Sequence, residues 1–148
     1  MQLNSLQLIN FKNHLSGDVK FGKQVNCLLG DNGSGKTNIL DALHYLCFCK
    51  SYFNPIDSQN ISHGEPFMMI KGVFNHHENE EFVSCGVKRG AKKMFKRNEK
   101  SYSRLLEHIG KFPAVIIAPD DSEIVREGSE VRRKWMDGVI SQYDRAYL

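Results

Sequence analysis

The sequence lacks the long hydrophobic run and the leader segment that would take a chain into or across a membrane. Its 148 residues contain no run of about eighteen apolar residues. The first residues, "MQLNSLQLINF", have neither the basic flank nor the apolar core of a signal peptide. With 41% hydrophobic and 25% charged residues, the composition is that of one ordinary folded domain. We therefore expect a cytoplasmic protein with a hydrophobic core and no membrane partner.

Cysteine is scarce, and its spacing fits no metal site. The four cysteines are Cys27, Cys47, Cys49 and Cys85. Neither the Cys47/Cys49 pair nor any Cys/His set has the spacing of a zinc site. In a reducing compartment such cysteines stay free and behave as small buried residues. We predict neither a disulfide framework nor a resident zinc ion.

A strong net charge is also missing, but positive charge is concentrated in one segment. The formal net charge is +3, which is too small to identify a nucleic-acid partner by itself. Between residues 88 and 104 the only acidic residue is Glu99. The basic residues of this segment are Lys88, Arg89, Lys92, Lys93, Lys96, Arg97, Lys100 and Arg104. We interpret this basic segment either as the solvated face of a hairpin or as a patch that contacts phosphates.

A glycine-rich loop is the strongest functional signal in the chain. The stretch "GDNGSGKTN" fits the pattern G-x-x-x-x-G-K-[ST] of phosphate-binding loops. Glycine lets backbone N–H groups turn towards a phosphate, and the N-terminus of a following helix adds partial positive charge. Lys36 is expected to reach the outer phosphates, and Thr37 to offer its hydroxyl to Mg²⁺. The candidate ligands of the nucleotide are Gly30, Asp31, Asn32, Gly33, Ser34, Gly35, Lys36, Thr37 and Asn38.

The surroundings of the loop support this interpretation. "LQLINF" (residues 6–11) predicts a strand, and "VNCLLG" (residues 25–30) predicts a buried strand that leads into the loop. After Gly35, apolar residues recur at helical spacing: Ile39, Leu40, Leu43, Leu46 and Cys47. A strand, a glycine loop and a helix in this order are the setting that a phosphate-binding loop requires.

The second part of the chain predicts a different arrangement. Residues 50–66 are loop-like, and "FMMIKGVF", "EFVSCGV" and "KKMFKR" predict successive strands of an antiparallel meander. Beyond them, "SRLLEHIG" predicts a short helix and "AVIIAP" a buried strand. Ser129 is the predicted N-cap of a last helix that continues to Leu148. This order differs from the βαβ alternation of a simple kinase.

Together these segments resemble the ABC-type ATPase heads of SMC-like DNA-repair and chromosome proteins. In those heads an "L-x-L-x-N-F-[KR]" strand precedes the phosphate loop and "N-I-L-D-A" follows it, as in residues 6–42 here. "KSYF", "APDDSEIVREGSEVRRKWMD" and "QYDRAYL" are most similar to the RecF family of bacterial DNA replication and repair proteins. The resemblance covers essentially the whole chain, but only the N-terminal portion of a RecF protein.

The resemblance implies a fold class and a division of the chain. The fold class is α/β, the N-terminal part of a P-loop ABC-type ATPase head with an antiparallel β meander, ending in a truncated helix. Residues 1–148 would form one incomplete head. Within it, residues 1–50 hold strands, the phosphate loop and the first helix, and residues 51–104 hold a loop and the meander. Residues 105–148 hold the short helix, the buried strand, the PDD loop and the start of a helical arm. The Walker B and signature motifs of the family are not found within this sequence.

The resemblance also implies roles for residues outside the loop. Lys12 and Asn13 would approach the nucleotide. Asp120 and Asp121 would stand where related heads carry a glutamine loop that faces the metal and the attacking water. This sequence has no glutamine there, so the catalytic role is open between the two aspartates. At Phe53 the family pattern leads us to expect a basic residue, so no phosphate or DNA contact is predicted there.

Other interpretations stay open on the residues themselves. "AVIIAPDD" resembles a Walker B strand, although Pro119 at the strand end disfavours that interpretation. A compact P-loop phosphotransferase would place Asp120 or Asp121 on the metal and use Arg132 or Arg133 as a lid. These adjacent arginines point to different faces of a helix, so a surface role is equally open. A nucleotide-binding module without turnover is the third possibility.

For the full-length protein, the resemblance implies a slow DNA-dependent ATPase that uses ATP and Mg²⁺. It would bind double-stranded or gapped DNA without sequence specificity, form an ATP-dependent homodimer and act with other recombination mediator proteins. The present chain alone is expected to bind nucleotide and to hydrolyse it at no more than background. A last helix without a C-cap and strands without a covering layer are expected to leave apolar surface exposed.

Overall fold

The computed structural model describes residues 1–76, 79–122 and 128–144, without the side chains of Asp120 and Ser122. Its central element is a six-stranded antiparallel sheet with the strand order β2-β1-β3-β4-β5-β6. The strands are β1 (Gln2–Phe11), β2 (His14–Lys20), β3 (Phe67–His76), β4 (Asn79–Lys88), β5 (Met94–Arg97) and β6 (Lys100–Ser101). The α-helices are α1 (Lys36–Phe48) and α2 (Ser129–Tyr143), and 3₁₀ turns span Asp57–Asn60, Leu105–Glu107 and Pro119–Ser122.

One face of the sheet forms the core together with α1. Burial alternates along β3, so that every second residue from Met68 to Phe74 is buried, whereas Met69, Lys71 and Val73 are more exposed. The helix packs closely against this face at Gly72, where a Cβ atom would lie 2.6 Å from Cδ1 of Leu46. The largest fully buried apolar side chains of this core are Tyr45, Phe11, Leu6, Leu8, Leu46, Met68, Ile70 and Val83.

The predicted antiparallel meander is confirmed. β3 and β4 pair from Phe67↔Lys88 to His76↔Asn79, and β5 continues the sheet through Cys85↔Phe95. β1 joins the other side of β3, so the strand predicted before the loop belongs to the same antiparallel sheet. The predicted helix after the glycine loop is also confirmed, as α1.

The predicted buried strand at residues 25–30 is wrong. The segment is irregular, and the side chains of Val25 and Leu29 are 85% and 90% exposed. An apolar run becomes a strand only where a neighbouring strand takes up its backbone hydrogen bonds and other side chains cover it. Among the residues that the structure describes, no strand pairs with this segment. Cys27, which lies in it, is exposed for the same reason, whereas the other three cysteines are buried as predicted.

The predicted buried strand in "AVIIAP" is wrong for the same reason. Val115 and Ile117 are 73% and 86% exposed, and no ladder forms there within the described ranges. The backbone N–H of Ala114 instead donates to Oε1 of Gln142 in α2, at 3.0 Å. A 3₁₀ turn begins at Pro119. This removes the apolar strand that the Walker B interpretation of "AVIIAPDD" required.

The helices near the end of the chain also differ from prediction. The short helix predicted in "SRLLEHIG" is one 3₁₀ turn, Leu105–Glu107. The N-cap of α2 is Gly128, and Ser129 is its first helical residue. The Ser129 hydroxyl accepts a hydrogen bond from Nη2 of Arg133, at 2.9 Å, and does not cap the backbone. The helix ends at Tyr143, whereas the sequence predicted that it continues to Leu148. Residues 145–148 lie outside the described ranges.

A fully buried histidine connects α1 to the segment after the meander. Nε2 of His108 lies 2.6 Å from the carbonyl oxygen of Leu46, and Nδ1 lies 3.1 Å from the hydroxyl of Tyr102. Because a carbonyl can only accept, Nε2 carries the proton and Nδ1 accepts from the tyrosine. The ring also stacks on Phe112 and packs against Phe95. Burial lowers the pKa of His108 to about 4.

The lowered pKa of His108 predicts that the protein loses stability in mild acid. The pKa of His108 falls from 6.5 in the unfolded chain to about 4 in the folded one, so the unfolded chain binds the proton first. The contribution of neutral His108 to the free energy of unfolding is complete above pH 6.5 and is lost as the pH falls towards 4. It amounts to about 3 kcal/mol at most. Burial also lowers the pKa of His44, which adds to the effect in the same direction. Hydrogen bonding to Arg97 lowers the pKa of Glu81 from 4.5, so the stability that this carboxylate contributes is lost only at more acidic pH.

Urea unfolding at pH 7.5 and pH 5 measures this effect. The free energy of unfolding of the wild-type protein should be lower at pH 5, and His108→Gln should remove most of the difference. His63→Gln changes an exposed histidine and should leave the difference intact. An unchanged pH difference in His108→Gln would contradict the assignment.

Candidate nucleotide-binding site

The glycine loop runs directly into α1. Gly33 and Gly35 have φ angles of 84° and 95°, in the left-handed region that favours glycine. The N–H of Ser34 donates to the carbonyl of Asp31 at 3.2 Å, which closes the loop on itself. At Gly35 there is also no room for a side chain, because a Cβ atom would lie 2.4 Å from Nε2 of His14. Both the backbone conformation and the lack of space therefore require glycine at position 35.

Lys36 holds its ammonium group over this loop. Its Nζ atom donates to the carbonyl oxygens of Gly30 and Asp31, each at 2.7 Å. Lys36 is the first residue of α1, and the first turn of the helix contains no acidic residue. The partial positive charge of the helix N-terminus is therefore not neutralised from within the helix. Thr37 follows in the same turn with an exposed side chain.

The turn between β1 and β2 is fastened to the loop. Nδ2 of Asn13 donates to the carbonyl of Gly33 at 3.0 Å, and its Oδ1 accepts from Nδ2 of Asn38 at 2.8 Å. Next to it, Nε2 of His14 lies 3.1 Å from the carbonyl of Gly35 and donates to it. The structure thus brings Asn13 and Asn38 together at the loop. That Asn13 contacts the nucleotide stays a prediction.

Lys12 is engaged elsewhere. Its Nζ atom forms an ion pair with Oδ2 of Asp41 at 2.6 Å and lies 5.6 Å and 5.5 Å from the ring centres of Phe11 and Phe53. Its backbone has a φ of 52° and donates to the carbonyl of Asn60 at 2.8 Å. Lys12 therefore orients the neighbouring Asn13, while its own charge is satisfied by Asp41. The aromatic ring at position 53 faces this ammonium group favourably, whereas a basic side chain there would repel it.

The structure adds Asp41, which the sequence analysis missed. Its side chain is completely buried in α1 and accepts three contacts. Besides Lys12, the hydroxyl of Ser51 donates to Oδ2 at 2.6 Å and the N–H of Tyr52 donates to Oδ1 at 2.7 Å. The signal in the sequence is an acidic residue inside the apolar helical pattern of "NILDAL". His14 was missed as well, and no pattern in the sequence marks it.

Asp121 closes the turn at Pro119–Ser122. Its Oδ2 accepts from the N–H of Ala118 at 2.6 Å, and its own N–H donates to the Ala118 carbonyl at 3.0 Å. Its Oδ1 accepts from the hydroxyl of Tyr52. The direct contacts described for Asp121 are thus with Ala118 and Tyr52, and none is with a residue of the glycine loop. The side chain of Asp120 lies outside the described part of the chain, and the catalytic assignment of both residues stays a prediction.

The arginines of the alternative lid lie on α2. Arg133 is held by its own helix, because Nε and Nη2 donate to the carbonyl and the hydroxyl of Ser129 at 3.3 Å and 2.9 Å. The side chains of both Arg132 and Arg133 are exposed, and Arg132 is also engaged in an interaction. This arrangement gives no support to a lid over the glycine loop.

The basic segment is divided between structural and exposed positions. Lys93 donates to the carbonyl of Cys49 at 2.6 Å and pairs with Asp57 at 2.8 Å, and Arg97 pairs with Glu81. Arg97 thus joins β5 to β4, whereas Lys93 joins the residues just before β5 to the segment that follows α1. The exposed cations of the segment are Lys88, Arg89, Lys92, Lys100 and Arg104. That these exposed cations contact phosphates stays a prediction.

With the loop, the meander and α1 in place, the family can be assigned. A family model of the AAA domain matches residues 5–143. The chain belongs to the AAA domain family. It is 50% identical over 149 aligned residues to the DNA replication and repair protein RecF of Phocaeicola vulgatus, with 100% of the chain and 40% of that protein covered. The resemblance to RecF that the motifs indicated is confirmed.

Solved structures confirm the fold class, the N-terminal part of a P-loop ABC-type ATPase head. The recombination mediator protein RecF of the RecFOR pathway, solved with ATP, is 30% identical with a TM-score of 0.92, covering 99% of this chain and 39% of that one. An SMC ATPase structure is 19% identical with a TM-score of 0.74, covering 94% of this chain and 99% of that one, and supports the fold alone. The chain thus spans about 40% of the length of the RecF proteins it matches.

The described residues hold neither a candidate membrane span nor a cluster of metal ligands. None of their helices is both long enough and apolar enough to span a membrane. They also contain no group of three or more His, Cys, Asp or Glu side chains that could hold a metal ion.

Proposed function

We propose that this chain is the ATP-binding part of a RecF-type ATPase of DNA replication and recombinational repair. The observation that carries this proposal is the glycine loop, with Lys36 over its carbonyls at the N-terminus of α1. The 50% identity to a RecF protein over the whole chain supports it. So does the 0.92 TM-score to a RecF protein that was solved with ATP.

The residues present fit a nucleotide with its Mg²⁺. The loop offers backbone N–H groups, the helix N-terminus keeps its partial positive charge, and Lys36 supplies a full one. The Thr37 hydroxyl is the side-chain oxygen of the motif that would hold Mg²⁺. The ion would neutralise negative charge on the phosphates. Lys36 would exchange the carbonyls of Gly30 and Asp31 for phosphate oxygens.

We expect the chain to bind ATP in the presence of Mg²⁺ and to release phosphate at no more than background. Hydrolysis needs an acid that orients water and a group that covers the γ-phosphate, and the described residues place neither at the loop. Calorimetric titration with ATP and a phosphate-release assay, with and without DNA, measure the two parts. Lys36-dependent turnover by this chain alone would instead favour the compact phosphotransferase.

We further propose that the RecF-type protein works in the cytoplasm on DNA, as an ATP-dependent homodimer that acts with other recombination mediator proteins. Support for DNA contact in this chain comes from the exposed cations of the basic segment, among them Lys92 and Lys100. Phosphate contacts position a protein on DNA without reading its sequence. Binding through this segment should therefore be indifferent to base sequence.

The salt dependence of DNA binding tests this surface. Replacing Lys92 and Lys100 together by glutamine should weaken binding to all DNA sequences alike and make the slope of log affinity against log salt shallower by about 2. Each lost phosphate contact removes about 0.9 from that slope, because fewer counterions are released. Replacing Lys23 and Lys50, which are also exposed, is the charge-matched control. Equal changes in both double variants would rule out a specific role of the basic segment.

A further inference from the structure

Tyr52 joins two parts of the molecule that are far apart in the sequence. Its backbone N–H donates to Oδ1 of Asp41 in α1, at 2.7 Å, and its hydroxyl donates to Oδ1 of Asp121. One residue is therefore hydrogen-bonded at its backbone to the helix of the glycine loop and at its side chain to the turn at Pro119–Ser122.

The same contacts extend from Asp41 to the glycine loop. Lys12 pairs with Asp41 at 2.6 Å, and the next residue, Asn13, donates to the carbonyl of Gly33 at 3.0 Å. Hydrogen bonds and one ion pair, joined by the covalent link between Lys12 and Asn13, thus connect the loop through the β1–β2 turn and Asp41 to Tyr52 and Asp121. Asp41 is completely buried, so its partners are not exchanged for water at the centre of this series.

The position of Tyr52 within the series is fixed by its neighbours. Ser51 is buried, donates to Asp41 at 2.6 Å, and accepts from the N–H of Asn54 at 2.9 Å. The Tyr52 ring packs edge-on against His44 in α1, with 5.4 Å between ring centres. The position of the Tyr52 ring therefore depends on α1, and the position of its hydroxyl depends on the ring.

At the far end, the turn at Pro119–Ser122 is closed by hydrogen bonds between Ala118 and Asp121, and it is called the Ala118–Asp121 turn below. The Asp121 side chain accepts from the N–H of Ala118 at 2.6 Å, and the N–H of Asp121 donates to the Ala118 carbonyl at 3.0 Å. A carboxylate held by Tyr52 can keep the first of these bonds closed. The amides of Ala118 and Asp121 are therefore direct reporters of the order of this turn.

We propose that Tyr52 is a positioning residue that couples nucleotide binding at the glycine loop to the order of the Ala118–Asp121 turn. The inference rests on the proposed function, because the loop must bind a nucleotide. Bound phosphate restricts the loop, and the Asn13 bond to Gly33 passes this restriction to Asp41 and Tyr52. Tyr52 then holds Asp121 in the position that closes the turn. Such coupling is a free energy and is therefore reciprocal between the two sites.

Hydrogen exchange of the backbone amides, with and without Mg²⁺-ATP, tests the coupling. In the wild-type protein, ATP should slow exchange of the Ala118 and Asp121 amides by about 5-fold or more, the lower end of measured couplings. In Tyr52→Phe, which keeps the ring and removes the hydroxyl, the same addition should slow exchange by less than about 2-fold. By reciprocity, ATP affinity should fall in this variant by no more than the coupling that was lost.

Tyr143→Phe is the matched control, because it removes the hydroxyl of a tyrosine that is 83% exposed on α2. It should retain the full protection of the Ala118–Asp121 turn, and thermal unfolding should show that both variants are folded. Full protection in Tyr52→Phe, or no protection in a wild-type protein that binds ATP, would overturn the coupling and leave the proposed function standing. A wild-type protein that does not bind ATP would overturn both.

Discussion

Lys36→Ala is expected to weaken ATP binding at least about 30-fold, corresponding to about 2 kcal/mol. The Lys36 ammonium lies 2.7 Å from two loop carbonyls, so it is already placed where the outer phosphates would contact the loop. Charge-assisted hydrogen bonds to phosphate are stronger than neutral ones, and alanine removes both the charge and the donors. Calorimetric titration of both proteins with Mg²⁺-ATP measures the difference in affinity.

Lys23→Ala serves as the control for net charge. Lys23 is exposed on the segment before the loop, and its replacement changes the net charge by the same amount. Its ATP affinity should equal that of the wild-type protein within the error of the titration. Equal affinity of wild type and Lys36→Ala would remove the glycine loop from the proposed function.

Asp41→Ala is expected to lower the free energy of unfolding by about 3–5 kcal/mol. The carboxylate is completely buried and satisfies the ammonium of Lys12, the hydroxyl of Ser51 and the N–H of Tyr52. Alanine leaves all three donors without their acceptor, and the Lys12 side chain, only 17% exposed, would keep a charge with little solvation. Urea unfolding at neutral pH measures the loss.

Asp18→Ala is the matched control for this prediction. Asp18 is exposed on β2 and accepts one hydrogen bond, from Nε2 of Gln7 at 3.0 Å. Surface replacements of this kind change stability by about 0.5 kcal/mol or less. Similar stability of the two variants would show that the Asp41 contacts contribute no more than a surface hydrogen bond.

Local patterns predicted those elements whose partners are close in the sequence. The meander follows from alternating residues between short turns, and α1 follows from apolar residues at helical spacing after Gly35. The apolar runs at residues 25–30 and 114–118 were predicted as buried strands but are irregular and largely exposed. Composition gives an apolar run its tendency to form a strand, but the ladder and the cover come from other strands and helices.

The sequence predicted the residues of the candidate site that follow one another in the motif, but not the contacts that other segments make with them. The residues of the loop, including Lys36, follow one another in the motif, so spacing alone identified them. Asn13 was indicated only through the resemblance to a family, and the structure brings it to Gly33. Lys12 was expected at the nucleotide, but the structure pairs it with Asp41, a residue whose burial no local pattern reveals.

By itself, the sequence determined the phosphate-binding loop, the helix that follows it, the antiparallel meander and the membership of a RecF-like family of ATPase heads. Each of these depends on residues within one turn, one hairpin or one motif. Only the tertiary structure decided that Asp41 connects the β1–β2 turn to Tyr52, and that Asp121 closes its own turn against Tyr52. The physical reason is that a carboxylate can be satisfied by any nearby donor, and which donor lies nearby is settled by packing of the whole chain.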